Sequence, residues 1–252
     1  WLGEIPYMGE GWNKLQEAIK TLKKDPSKKF IVLKGKSGVG KTRFLKEISG
    51  YYFQKGYRIV SLDYQSITDL SLKNVLQSIL FNIFNLEKSN HENVEYIDQF
   101  GEKYKDFYDV LFNEDYNFTE HIDKLCVLFF SLFTRKKILL LIDNIQDINA
   151  EAVTFFERFL FDINNSSDLK SLFILCFNQD FLFQGKSSTK LLAYLEQLNG
   201  ALPVILENFN EPDAKLYLHE CLDPRGLRSD LYSYYDDIIS RFGTNPFVLK
   251  QL

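Results

Sequence analysis

The sequence has only three cysteines in 252 residues, Cys126, Cys176 and Cys221. They are odd in number and far apart, and two lie inside apolar runs. That pattern speaks for buried thiols in a reducing compartment rather than a disulfide framework. Histidine is equally scarce: His91, His121 and His219 show no metal-ligand spacing with the cysteines, so no zinc-type centre is expected. Positive charge is not in excess. A net charge of −4 argues against non-specific nucleic-acid binding, which needs a basic surface. No apolar run reaches the roughly 20 residues of a membrane-spanning helix, and no signal peptide is visible. No membrane span and an intracellular, cytoplasmic location are therefore expected. The chain starts at Trp1 and stops within a helical pattern, so it reads as a piece of a longer polypeptide.

What is present is ordinary for a globular protein in charged and hydrophobic content, with Phe and Tyr abundant enough to predict an aromatic core. The length suits one large α/β domain, or one domain and part of a second. The most specific stretch is Gly35-Lys36-Ser37-Gly38-Val39-Gly40-Lys41-Thr42, which fits the phosphate-binding pattern G-x-x-x-x-G-K-[ST]. The apolar run Phe30-Ile31-Val32-Leu33 precedes it, and Arg43-Phe44-Leu45-Lys46-Glu47-Ile48 follows with helical spacing. Strand, glycine loop and helix are the context the motif requires. The glycines let successive N–H groups curl around a phosphate, and the helix N-terminus adds its partial positive charge. Lys41 would reach the β- and γ-phosphates, and the Thr42 hydroxyl would ligate Mg²⁺.

Along the chain, the spacing predicts a helix over residues 11–24, a strand at Tyr57–Leu62 and a helix over 71–86. Residues 87–118, rich in Glu, Asp, Asn and Tyr, read as an insertion carrying a solvated helix. A helix from Thr119 to Phe133 is expected, with Thr119 as N-cap and Glu120 in its first turn. Ile138–Ile142 and Leu172–Phe177 are continuous apolar strands of the kind buried on both faces of a parallel sheet. Helices at 151–163 and 189–198 and a short strand at Pro203–Leu206 complete an alternation of strands and helices. Only helices, at 212–222 and 229–242, are predicted beyond Asn208.

Two polar positions at strand ends extend the site. Asp143 directly follows Ile138–Ile142, where a Walker B carboxylate holds Mg²⁺. Asn178 ends the next apolar strand, beside Gln179. A polar group there touches the γ-phosphate or the attacking water in ATPases with an additional strand between the P-loop and Walker B strands.

Further motifs fall in a familiar order. Pro6-Tyr7-Met8-Gly9-Glu10 resembles the N-terminal hhGR motif of STAND NTPases, the signal-transduction branch of AAA+-like ATPases. Gly38 to Leu45 resembles that family's P-loop and helix start, and Leu141-Ile142-Asp143-Asn144-Ile145-Gln146-Asp147 its Walker B region. Asn208 to Ala214 stands like the start of its helical lid, and Gly243-Thr244-Asn245-Pro246-Phe247 is similar to its G-N-P motif. The resemblance implies an ATP/ADP site with Mg²⁺. Its contacts are expected from Gly35, Lys36, Ser37, Gly38, Val39, Gly40, Lys41, Thr42, Arg43, Tyr7, Met8 and Pro246, with the metal on Thr42 and Asp143. Lys41, Asp143, Asn144 and Asn178 would be the catalytic set.

There are departures. Glu10 stands where the family has Arg, and Asn149 where it often has Asp. Asn144 replaces the acid that usually follows the Walker B Asp, and an amide orients water without taking its proton. Asp147 is expected to face solvent. No arginine finger stands out; Arg225 and Arg228 are the nearest candidates and read as solvated loop. The sequence N-K-x-D, which would mark guanine specificity, is absent, and so is the basic lid of small-molecule kinases.

The expected fold is a three-layer αβα P-loop NTPase sandwich with a mainly parallel sheet over 1–207, followed by a truncated helical lid over 208–252. The expected function is a nucleotide switch that hydrolyses ATP slowly within a signalling or scaffold protein, with nucleotide and further protein domains as partners. The alternatives are a non-hydrolysing scaffold, an active ATPase, and an initiator-like AAA+ protein acting on DNA.

Overall fold

The run Ile138-Leu139-Leu140-Leu141-Ile142 forms the body of strand β3 (Ile138–Asp143), which is buried at every position. Its side chains alternate between two apolar layers. Leu140 and Ile142 point to one face of the sheet, Leu139 and Leu141 to the other. A strand flanked this way has no polar face, which is why its sequence shows no alternation. The computed structural model describes residues 10–66, 71–84, 113, 117–118, 120–181, 186–222 and 231–251.

Within these residues the elements run α1 (Glu10–Lys24), β1 (Phe30–Gly35), α2 (Lys41–Gln54), β2 (Arg58–Asp63), α3 (Leu72–Phe84), α4 (Ile122–Arg135) and β3. After them come α5 (Ala150–Asn164), β4 (Leu172–Asn178), α6 (Lys186–Gln197), β5 (Ala201–Leu206), α7 (Glu211–Leu222), α8 (Tyr232–Phe242) and α9 (Pro246–Lys250). All strand pairs are parallel, in the order β2-β3-β4-β1-β5. Strand β4 thus lies between β1, which leads into the glycine loop, and β3, which ends at Asp143, as the additional-strand reading requires.

One face of the sheet is covered by α3 to α6. Their core is aromatic: Phe155 and Phe159 stack at 5.7 Å, and Phe129 meets Phe155 edge-on at 5.5 Å. Such ring pairs add about 0.5–1.5 kcal/mol each beyond their burial. The other face carries α1 and α2, where Trp12 packs edge-on against Phe44 at 5.9 Å. The turn into β3 is pinned by the buried Ser171. Its hydroxyl donates toward Phe133 O and Lys136 O, at 2.6 and 2.8 Å, and accepts from Ile138 N. Beyond β5, helices α7 to α9 gather Tyr217, Leu218, Tyr235, Ile239 and Leu249 into a separate small apolar cluster.

Two sequence expectations change. Helix α4 begins at Ile122, so Glu120 precedes it and Asp123 is the acid in its first turn; the N-cap is His121, whose side chain makes no cap bond. Helix α9 was not foreseen, because five residues are too few for periodicity. Its cap is legible in retrospect. Asn245 accepts from Phe247 N and Val248 N, and Pro246 occupies the first turn, where a missing N–H costs nothing. The 87–118 insertion, apart from residues 113, 117 and 118, lies outside the described residues, as do Tyr7, Met8, Thr119, Arg225 and Arg228.

Candidate functional site

Parallel pairing brings the carboxyl ends of the strands level. Gly35 pairs with Asn178 and with Leu206, and Asp63 with Asp143. The chain leaves β1 at Gly35, where a Cβ would stand 2.7 Å from Leu206 O and 2.8 Å from Val39 Cγ2. Only glycine fits so tight a corner. Gly38 and Gly40 then take φ of 80° and 100°, a region that costs other residues about 1–2 kcal/mol. Gly40 is the N-cap of α2 and brings no capping side chain. The first turn of a 14-residue helix therefore opens toward the loop with its amides and its dipole.

Lys41 is buried, and its Nζ donates to Gly35 O and Lys36 O, both at 2.7 Å. Burial pushes its pKa down, while nearby Cys176, Asp143 and Asp180 act in the opposite direction. The Thr42 hydroxyl donates to Asp143 Oδ2 at 2.5 Å, across about a hundred residues of sequence. An alcohol and a buried carboxylate side by side form the hard oxygen donor set that suits Mg²⁺. The site's own geometry therefore fits a phosphate with its metal. Lys41 and the loop amides would bind the phosphate, and Thr42 and Asp143 would hold the ion. That ion would supply charge neutralisation on the phosphates.

Asn144 follows in a left-handed conformation, φ 53°, which asparagine tolerates better than most residues. Its Nδ2 donates to Asp63 Oδ1 at 2.9 Å, and its Oδ1 accepts from Gln146 Nε2 at 3.3 Å. Gln146 Oε1 in turn accepts from Asn178 N at 3.0 Å. Asp63, Asn144, Gln146 and Asn178 thus link the ends of β2, β3 and β4. Asp147 is exposed on this loop and accepts from Gln146 Nε2 at 3.3 Å; burial and the Asp63 charge raise its pKa. Asn149, where an acid stands in the family resembled, caps α5 by accepting from Ala152 N at 2.7 Å.

A cavity of about 540 Å³ opens in front of the loop, within the range of small-molecule sites. Ser37 to Arg43, Asn144 and Asn178 line it together with Tyr217, Pro246 and Phe247 of the C-terminal helices. Pro246 is thereby brought together with the P-loop. Phe247 N donates to Gly38 O at 3.2 Å and Asn245 Nδ2 to Ser37 O at 3.0 Å. A second hollow, about 580 Å³, lies beside Lys36 and Val39, between the start of α1 and Leu206–Asn210. Its lining does not include Lys41, Thr42 or Asp143. Among the described residues no group of three His, Cys, Asp or Glu gathers as a metal site, and no helix is long and apolar enough to cross a membrane.

Sequence reasoning missed Asp63, Gln146, Asp180 and Tyr217. Asp63 had a weaker form of the signal at Asp143, an acid closing a strand, but in β2 Arg58 and Ser61 interrupt the apolar run. Asp180 and Tyr217 had none.

A protein-family profile described as an AAA domain matches residues 24–181. No curated protein matches. Among solved structures, Cdc6p from Pyrobaculum aerophilum is similar in fold, with a TM-score of 0.55, 12% identity, and coverage of 99% of this chain and 61% of that chain. The present chain thus spans about three fifths of the Cdc6p chain. Two weaker likenesses are to the Pif1 helicase from Candida albicans (TM-score 0.36, 9% identity, 85% and 44% of the two chains) and to unliganded Pif1 from Bacteroides sp. (0.35, 15%, 94% and 50%).

Proposed function

This chain belongs to the AAA domain family of P-loop nucleoside triphosphatases, and from that premise we propose that it is a nucleotide-driven switch within a larger signalling or scaffold protein. It binds ATP with Mg²⁺ and turns it over slowly. The observation that carries this reading is the direct joint between loop and C-terminal helices. Phe247 and Asn245, at the start of α9, hydrogen-bond the carbonyls of Gly38 and Ser37. A phosphate that draws the loop amides inward pulls on the same peptide units. A ligand shifts a conformational equilibrium only through contacts that differ between states, and in this reading the joint is where a nucleotide-dependent difference in the loop would reach the lid. In this reading residues 1–207 are the nucleotide-binding body and 208–252 the beginning of a lid, with Pro246 beside the base. The Gly243–Phe247 sequence supports assignment to the STAND branch.

Slow turnover follows from Asn144. Its amide is engaged at both ends, by Asp63 and Gln146, and has no basic group to accept a proton from water. Lys41, Thr42 and Asp143 retain their roles toward phosphate and metal, so binding is kept while proton abstraction is weak.

Hydrogen exchange tests the switch. With the β,γ-imido analogue of ATP and Mg²⁺, the amides of α7 to α9 should exchange at rates different from those with ADP. Identical protection in the two states rules out a lid that senses the terminal phosphate. The initiator-like alternative is compatible with the family match, and the net charge of −4 weighs against it. Salt-sensitive binding to duplex DNA would favour it.

A further inference from the structure

We propose that Asp180 is a specificity-determining residue that makes this site favour nucleoside diphosphate over triphosphate; the inference rests on the nucleotide reading above. Directly after β4 the chain turns back over the P-loop. Gln179 N donates to Gly35 O at 3.1 Å and Phe181 N to Asn178 O at 3.2 Å. The Asn178 side chain fixes the bend by accepting from Asp180 N at 3.2 Å. The bend carries the Asp180 carboxylate across β1 to Ser37, whose backbone N–H it accepts at 2.7 Å.

Ser37 is the third residue of the eight-residue phosphate loop, and Asp180 also lies within electrostatic reach of the Lys41 ammonium. The carboxylate therefore engages one amide of the phosphate loop and acts on its one cation, Lys41. A terminal phosphate approaching Lys41 brings two like charges to one cation, and like charges at a shared site oppose one another. A diphosphate meets Lys41 with its β-phosphate alone and so brings less negative charge to the shared cation. The sequence itself gives no sign of this, because Asp180 is an ordinary loop acid until the bend after β4 is known.

A purely bracing role predicts something different. Asparagine can accept the Ser37 N–H as aspartate does, so a brace survives Asp180→Asn, whereas a charge effect does not. The test is calorimetric titration of the 252-residue chain with ADP and with the β,γ-imido analogue of ATP, each with Mg²⁺, for wild type, Asp180→Asn and Asp180→Ala. Melting temperatures confirm that each variant is folded. Asp180 is exposed, so removing its solvent-screened charge should tighten the triphosphate analogue roughly three- to fivefold, and leave ADP affinity nearly unchanged in both variants. If the wild type binds ADP and the ratio of the two affinities is the same in all three proteins, the inference falls and the nucleotide reading stands. A parallel loss of both affinities in Asp180→Ala, with Asp180→Asn unchanged, marks a brace and also overturns it. A wild type that binds neither nucleotide overturns the nucleotide reading together with the inference.

Discussion

Replacing Gly38 with alanine should loosen the C-terminal helices from the phosphate loop, and the size of the effect can be worked out. Gly38 has φ +80°, and a Cβ there would stand 2.5 Å from Asn245 Oδ1 and 2.9 Å from Phe247 Cβ. Asn245 cannot swing aside cheaply. Its Oδ1 accepts from Phe247 N and Val248 N, and its Nδ2 donates to Ser37 O and Asn208 Oδ1. The left-handed backbone costs an L side chain about 1–2 kcal/mol, and losing an N-cap about 1 kcal/mol. A total of roughly 2–3 kcal/mol, at about 2–4 °C per kcal/mol for a chain of this size, lowers the melting temperature by about 4–12 °C. The assay is thermal unfolding by circular dichroism without nucleotide, for Gly38→Ala, Asn245→Ala and the double variant. Asn245→Ala removes the nearest obstructing atom, so the double variant should fall short of the sum of the singles by about 1 kcal/mol. A Gly38→Ala protein that melts within about 1 °C of wild type, or strict additivity, would refute the contact between loop and α9.

Hydrolysis should be limited by Asn144. Wild-type single-turnover cleavage of ATP is expected below about 1 s⁻¹. Because Asn144 donates to Asp63, a glutamate there must be paired with Asp63→Asn to avoid facing a carboxylate. The double variant Asn144→Glu/Asp63→Asn should then cleave roughly 10²- to 10⁴-fold faster, and fast wild-type cleavage would show that another residue serves as base. The thiols give a pH test. Burial pushes Cys126 up to about 12, Cys176 well above its usual value, and Tyr52 and Tyr64 upward too. An acid whose folded pKa is raised contributes stability that is present below its unfolded pKa and lost as pH rises through the folded one. Lys41 and Lys136, both lowered by burial, act the other way but are two groups against four. The melting temperature should fall from about pH 8, near the unfolded thiol pKa, toward pH 11; a rise over that window contradicts the burial assigned to these groups. At pH 8, Cys126 and Cys176 should react with a thiol reagent only as fast as the protein unfolds.

Much of the sheet was readable because burial on both faces leaves a plain signal, as in the unbroken apolar runs of β3 and β4. The phosphate loop was readable because its backbone demands glycine at Gly35, Gly38 and Gly40, and such demands are local. The start of α4 was misjudged because its cap, His121, makes no side-chain bond and so leaves no capping signature. The remaining features depend on register between distant segments. Asp63 meets Asp143 only through β2–β3 pairing. Asp180 meets Ser37 only through β4–β1 pairing and the bend beyond it, and Asn245 reaches Ser37 across most of the chain. Spacing along the sequence carries none of that information.

The central claim, that the loop of Gly35–Thr42 binds nucleotide and that Lys41 is the cation it places against the phosphates, is tested most directly by calorimetry of ATP with Mg²⁺ on the wild-type and Lys41→Ala proteins. Saturable binding at one site is predicted for the wild type, weakened by at least tenfold, about 1.4 kcal/mol, in the variant. Equal affinity in the two proteins, or no binding by a folded wild type, would contradict it.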